Sequence, residues 1–86
     1  MNDKEMQSKV LDIVAKVARL KELKVNPDKD IRDQVNLDSM QFVAVIAHIE
    51  EAFQVDLPIE VMTVSTFRQF LSMLKDAIHV RPNDGL

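Results

Sequence analysis

The 86-residue chain contains a single glycine, Gly85, and three prolines. Folds built from β-hairpins need residues that accept positive φ at short intervals, so a turn-rich sandwich or barrel is disfavoured and helices are expected. The length allows one domain, which buries roughly 60–65% of the surface of its unfolded chain. A large enzyme cleft does not fit that size. There is no cysteine, which excludes disulfides, a Cys-based zinc site and a cysteine nucleophile. His48 and His79 are too far apart to form a cluster.

Charge narrows the partner classes. Residues 1–37 carry eight Lys/Arg and seven Asp/Glu, whereas residues 38–86 carry three and seven. An acidic second half argues against binding a phosphate backbone, which clustered Lys and Arg would lead. No nucleic-acid partner is expected. No apolar run approaches the ~20 residues of a membrane span, and Met1-Asn2-Asp3-Lys4-Glu5 lacks the basic-then-apolar layout of a secretory signal. A cytoplasmic monomer is the expectation.

Three stretches have helical period. Met6, Val10, Ile13, Val14, Val17 and Leu20 recur at i, i+3, i+4 and i+7. Asn2 and Glu5 are spaced as a capping box, placing the start near Asn2 or Asp3. Asn26-Pro27 ends the pattern, and the helix is expected to stop by about Leu23. Residues 25–37 read as the longest loop. In that loop Asp28, Asp30 and Asp33 fail as a calcium site, because Arg32, Asp33 and Ser39 stand where an oxygen ligand, a turn glycine and a closing glutamate are required. A second helix runs from Asp38 through Phe42, Val45, Ile46, Ile49 and Phe53, and its Phe42–Ala47 stretch has no polar residue. It therefore belongs at the centre or presents apolar surface to a partner. Leu57-Pro58 ends it, Ile59 to Val64 allow only a short helical turn, and Ser65 or Thr66 can cap a last helix bearing Phe67, Phe70, Leu71, Leu74 and Ile78. The expected architecture is all-α: a small four-helix bundle of three longer helices and one short one. A single domain at 1–80 is followed by a polar tail at 81–86.

The chemistry concentrates where a loop becomes the second predicted helix. Asp38 suits an N-cap and Gln41 can reach back to its N–H, so Ser39 falls at the first helical position with its side chain exposed. A phosphoryl group on that hydroxyl would gain about 0.3–1 kcal/mol from the helix dipole and the unpaired N–H groups. Asp-Ser is also ordinary helix-start chemistry, so the pair alone decides nothing. Neither histidine is spaced to pair with Ser39, and there is no Gly-x-Ser-x-Gly elbow. A self-contained hydrolase is excluded on those grounds.

The segment Leu37-Asp38-Ser39-Met40, followed by Val43, Ile46, Ile49-Glu50-Glu51, Phe53, Leu57-Pro58 and Ser65-Thr66-Phe67, resembles the Asp-Ser-Leu signature and flanking pattern of the acyl carrier protein family. The resemblance covers nearly the whole domain. It implies a non-catalytic carrier in which Ser39 receives a 4′-phosphopantetheine arm from coenzyme A, installed by a phosphopantetheinyl transferase that recognises Asp38. The arm's thiol would hold an acyl group for acyl-loading and acyl-transfer enzymes of fatty-acid, polyketide or other specialised biosynthesis. Met40, Gln41, Val43, Ala44, Ala47 and Glu51 would form the partner face. Phe42, Ile46, Met62, Phe67 and Leu71, read first as core, would part to admit an acyl chain. No metal is implied.

Four features depart from the pattern. Asn36 stands where carriers commonly have glycine, a position that asparagine can fill because it tolerates left-handed geometry. Met40 replaces leucine, and Gln41 and Ala44 occupy positions that are often acidic. Ile59-Glu60-Val61-Met62 stands in for a longer acidic helix. These changes point to a more apolar partner face and specialised enzymes. Two other readings keep the bundle: an unmodified helical interaction module, and a peptidyl or aminoacyl carrier of a nonribosomal pathway.

Overall fold

The computed structural model describes residues 2–79; the expected boundary at 80 and the tail at 81–86 lie outside them. Among the described residues the chain is all-helical: α1 (Asp3–Ala18), α2 (Ile31–Gln34), α3 (Ser39–Phe53), a 3-10 turn (Ile59–Thr63) and α4 (Phe67–His79). The three long helices and the short turn stand where periodicity placed them. α2 is an addition, inside what reads from sequence as a loop.

The core forms around α3, which buries Phe42, Val45, Ile46, Ile49 and Phe53. α1 packs along it with Met6, Val10 and Val14 buried. Ile13 and Val17 are half-buried, and Leu20 is exposed. α4 contributes Phe67, Phe70 and Leu74. Leu71, expected in the core, is half-buried at its edge. Phe67 stacks on Phe70 at 6.4 Å, and Phe70 meets Phe42 at 6.2 Å in a tilted pair. Burying each of these large side chains contributes roughly 1.5–3 kcal/mol, so α3 is the element on which the others condense.

Helix α1 ends at Ala18, short of the Leu23 expected. Arg19 adopts φ 60°, its N–H donates to the Lys16 carbonyl, and the Leu20 N–H donates to that of Ala15, the double closure of a Schellman end. α3 also closes on a left-handed residue, Gln54 at φ 56°, with both the Gln54 and the Val55 N–H groups on the Glu50 carbonyl. Glycine usually holds these positions, and its absence hides both stops from a reader of the sequence. An L-residue in this region gives up about 1–2 kcal/mol, and the burial of Val55 directly after Gln54 offsets a loss of that size.

The connection between α1 and α2 is held by backbone groups distant in sequence. The Phe67 and Arg68 N–H groups donate to the carbonyls of Lys29 and Pro27 at 2.9 and 2.8 Å. The next two α4 donors are taken by Thr66, through its hydroxyl to the Gln69 N–H and its carbonyl to the Phe70 N–H. Thus Thr66 is the cap, and the helix start is fully satisfied. Gln34 bridges the same loop, accepting from the Asn26 N–H and donating to the Asn26 and Lys29 carbonyls.

Arg32, on α2, is the polar hub. Its guanidinium pairs with Asp30, lies 4.8 Å from the Phe42 ring centroid, and donates to the Met62 and Val64 carbonyls at 2.9 and 2.7 Å. Asp30 also caps α2 by accepting from the Arg32 N–H at 2.8 Å. The side-chain bond from Arg32 holds the Asp30 carboxyl below its ordinary value of 3.8 and holds the guanidinium above its own. The three aspartates of the rejected calcium pattern are thus separate in role: Asp30 here, Asp28 on Arg68 at 3.0 Å, and Asp33 exposed.

A carboxylate with a depressed folded-state pKa stabilises fully above its ordinary value and loses that contribution as pH falls through the lowered one. Asp30→Asn keeps a competent cap while removing the charge. It is expected to lower stability by about 1 kcal/mol near neutrality. Urea midpoints measured from pH 7 down to pH 2.5 should show the gap between wild type and variant closing below about pH 4; a gap unchanged at the acid end would contradict this account.

Candidate functional site

The site begins with a backbone constraint. After α2, the Leu37 N–H donates to the Arg32 carbonyl at 3.0 Å and the Leu37 side chain is buried. Between them Asn36 takes φ 54°, the left-handed geometry anticipated for it. That turn reverses the chain so that Asp38 reaches the tip of α3. Asp38 Oδ1 accepts from the Gln41 N–H at 2.8 Å, and Gln41 Oε1 accepts from the Asp38 N–H at 3.1 Å. The reciprocal capping box read from the sequence is formed.

Ser39 is the first residue of α3 and is exposed. The box occupies the Asp38 and Gln41 N–H groups, and the Phe42 N–H bonds the Asp38 carbonyl. The Ser39 and Met40 N–H groups are left at the positive end of the helix. This is suitable ground for a phosphodiester on the neighbouring hydroxyl. Beside it a shallow depression of about 220 Å³ is lined by Ser39, Met40 and Val43. A phosphate with an organic arm therefore fits: donors face the anion, and an apolar hollow lies beside the arm.

The other sequence-derived candidates fall into two groups. Ser39, Val43, Ala47 and Glu51 lie four residues apart on α3 and are all exposed, forming one stripe with Met40, which is 83% exposed. Gln41 and Ala44 are half-buried beside the stripe. Phe42, Ile46 and Phe67 lie in the core, with Met62 and Leu71 packed at its edge. His48 and His79 are exposed. Among the described residues no group of His, Asp and Glu could hold a metal ion, and no helix is long and apolar enough to cross a membrane.

Comparison with known proteins agrees with this geometry. Residues 8–74 match the family described as Phosphopantetheine attachment site. The chain is 30% identical over 76 residues to the acyl carrier protein of Syntrophobacter fumaroxidans, covering 84% of this chain and 94% of that one. It is 32% identical over 60 residues to the acyl carrier protein of Rubrobacter xylanophilus, covering 70% and 74% respectively. The chain belongs to the acyl carrier protein family. Its cofactor is therefore covalently attached 4′-phosphopantetheine. As a family member the carrier works with acyl-handling enzymes and a phosphopantetheinyl transferase.

Two residues without a local sequence signal, Glu50 and Arg32, hold segments of the scaffold that carries the site. Glu50, which beside Glu51 in the sequence suggests no more than surface charge, is half-buried and accepts from the Leu57 N–H at 2.8 Å, fixing the chain after α3. The structural role of Arg32 has no local signature, because the carbonyls it bonds lie thirty or more residues away. Local spacing carries no signal for such contacts.

Asn36→Gly should leave stability within about 1 kcal/mol of wild type, whereas Asn36→Val should lose about 1–2 kcal/mol through backbone strain at an exposed position. Equilibrium urea unfolding of both variants reads the difference; equal stabilities would show that the turn does not need its left-handed residue.

Proposed function

We propose that Ser39 Oγ is the attachment atom for the arm and that the chain delivers acyl groups without catalysing their transfer. The exposure of Ser39 at the first position of a capped helix carries the reading. In the attachment step the hydroxyl oxygen forms a bond to the phosphorus of coenzyme A that bears the pantetheine. The pyrophosphate bond breaks, the adenosine bisphosphate half leaves, and the hydroxyl proton passes to a base of the transferase. The arm supplies a thiol that holds the acyl group as a thioester. With no cysteine in the sequence, no protein thiol competes for that group. Asp38 holds the tip in shape through its capping box and supplies a carboxylate beside Ser39 for transferase recognition. The bundle presents the tether, and partner enzymes supply the chemistry.

The face around the tether favours apolar contact. Met40 and Val43 are 83% and 53% exposed and Ala47 continues the stripe, whereas Glu51 is its one acidic member. Partners that bury such a face gain from desolvation rather than from charge pairing. This points to specialised acyl-transfer enzymes of fatty-acid, polyketide or related biosynthesis that dock through apolar surfaces.

Intact mass after incubation with coenzyme A and a broad-specificity transferase should rise by one arm. Ser39→Ala should show no rise while its circular dichroism matches wild type. A folded wild type that gains nothing would instead favour a module that binds partners without modification. With the same transferase, Val43→Glu is expected to lower kcat/KM about tenfold. Raising salt from about 0.05 to 0.5 M should change the wild-type value less than about threefold, and a strong fall with salt would mean that charge, not apolar area, guides docking.

A further inference from the structure

We propose that Arg32 is a latch that ties the 3-10 turn to α2 and to Phe42 of α3 and so determines whether a fatty acyl chain on the carrier's arm stays outside the bundle or enters it. The inference rests on the Ser39 reading for the presence of the arm and on the geometry of Arg32 for the latch. One side chain joins three elements. It starts on α2, lies over the Phe42 ring of α3, and grips the Met62 and Val64 carbonyls at the far end of the turn. Asp30 accepts from Nε and Nη2 along the adjoining edge of the guanidinium, Nη2 being shared with the Val64 carbonyl, so the donors are aimed without further ordering. The turn itself is weakly held. It spans five residues, starts after Pro58 with no side-chain cap bond, and buries Val61 alone, while Ile59 is 79% exposed.

The position of the grip gives it consequence. Met62 belongs to the turn, Phe42 and Ile46 to α3, and Phe67 and Leu71 to α4. An acyl chain entering between these elements has to part the turn from the Arg32 guanidinium that lies over Phe42, and the two carbonyl bonds oppose that movement. Elements with few buried contacts open at the lowest free energy, so the turn is the place where opening starts and Arg32 sets its threshold. The bonds are charge-assisted, and losing even one of them is large enough to change an opening equilibrium about tenfold.

Arg32→Met keeps an apolar stem over Phe42 but has no donor. Arg32→Lys keeps the charge but cannot span two carbonyls with its fork. Wild type and both variants would be loaded from acetyl- or octanoyl-coenzyme A by the transferase, with loading checked by intact mass, and the thioesters cleaved with hydroxylamine. In wild type the two thioesters should cleave at similar rates. In Arg32→Met the octanoyl thioester should cleave about tenfold more slowly than the acetyl one, with Arg32→Lys between. A merely structural effect would alter both chain lengths alike. In unloaded Arg32→Met, amide exchange at residues 61–64 should quicken about tenfold while that of Val10 and Leu74 stays unchanged. The latch is overturned if octanoyl is protected equally in wild type and Arg32→Met, if it is unprotected in a fully loaded variant, or if exchange at 61–64 does not change. A folded wild type that cannot be loaded would overturn the Ser39 reading instead, and the exchange measurement would still test the latch.

Discussion

Burial of α3 is the constraint from which the remaining architecture follows. Phe42, Val45, Ile46, Ile49 and Phe53 occupy the inward side of one fifteen-residue helix, and none can be left in water without forfeiting roughly 1.5–3 kcal/mol. α1 and α4 supply the covering surfaces. One stripe, from Ser39 through Val43 and Ala47 to Glu51, stays uncovered. The arrangement that buries the helix thus leaves its tip and one side accessible, and both belong to the proposed work of the carrier. The tether and the docking face are two parts of the same uncovered strip.

The polar interactions are arranged around this core rather than within it. Among the described residues no polar or charged residue is fully buried, so hydrogen bonds act here mainly as positional devices. The capping box orients the start of α3, and the carbonyls of Pro27 and Lys29 close the start of α4. Arg32 joins α2 to the turn and to Phe42. Compared with the core, each contributes little energy, yet together they select one packing of short segments that have little apolar surface of their own. An exposed pair such as Lys75 with Asp3 adds at most a few tenths of a kcal/mol and fixes no segment in this way.

Scarcity of glycine shapes the connections. Arg19, Asn36 and Gln54 all take positive φ, and two of the three are followed directly by a buried apolar residue, Leu37 or Val55. Burial of the next side chain compensates for the strained residue before it. At the end of α1 an arginine holds the left-handed position and is followed by exposed Leu20. Lys21, Glu22 and Lys24 are compatible with a helix, and nothing local announces a stop before Asn26-Pro27.

Periodicity and capping chemistry alone determined the helical class, the three long helices, the central place of α3, and the position of Ser39 at a capped tip. These are properties of residues within a few positions of one another, where side-chain direction follows from backbone period. Asn36 was legible for the same reason, since its tolerance of positive φ belongs to the residue itself. Tertiary structure alone decided the stop at Ala18, the existence of α2, the docking of residues 27–29 on α4, and the roles of Arg32 and Glu50. The grip of Arg32 and the docking of residues 27–29 depend on partners thirty or more residues away, which leave no mark on local sequence, whereas the stop at Ala18 closes locally on Ala15 and Lys16 without a glycine to announce it.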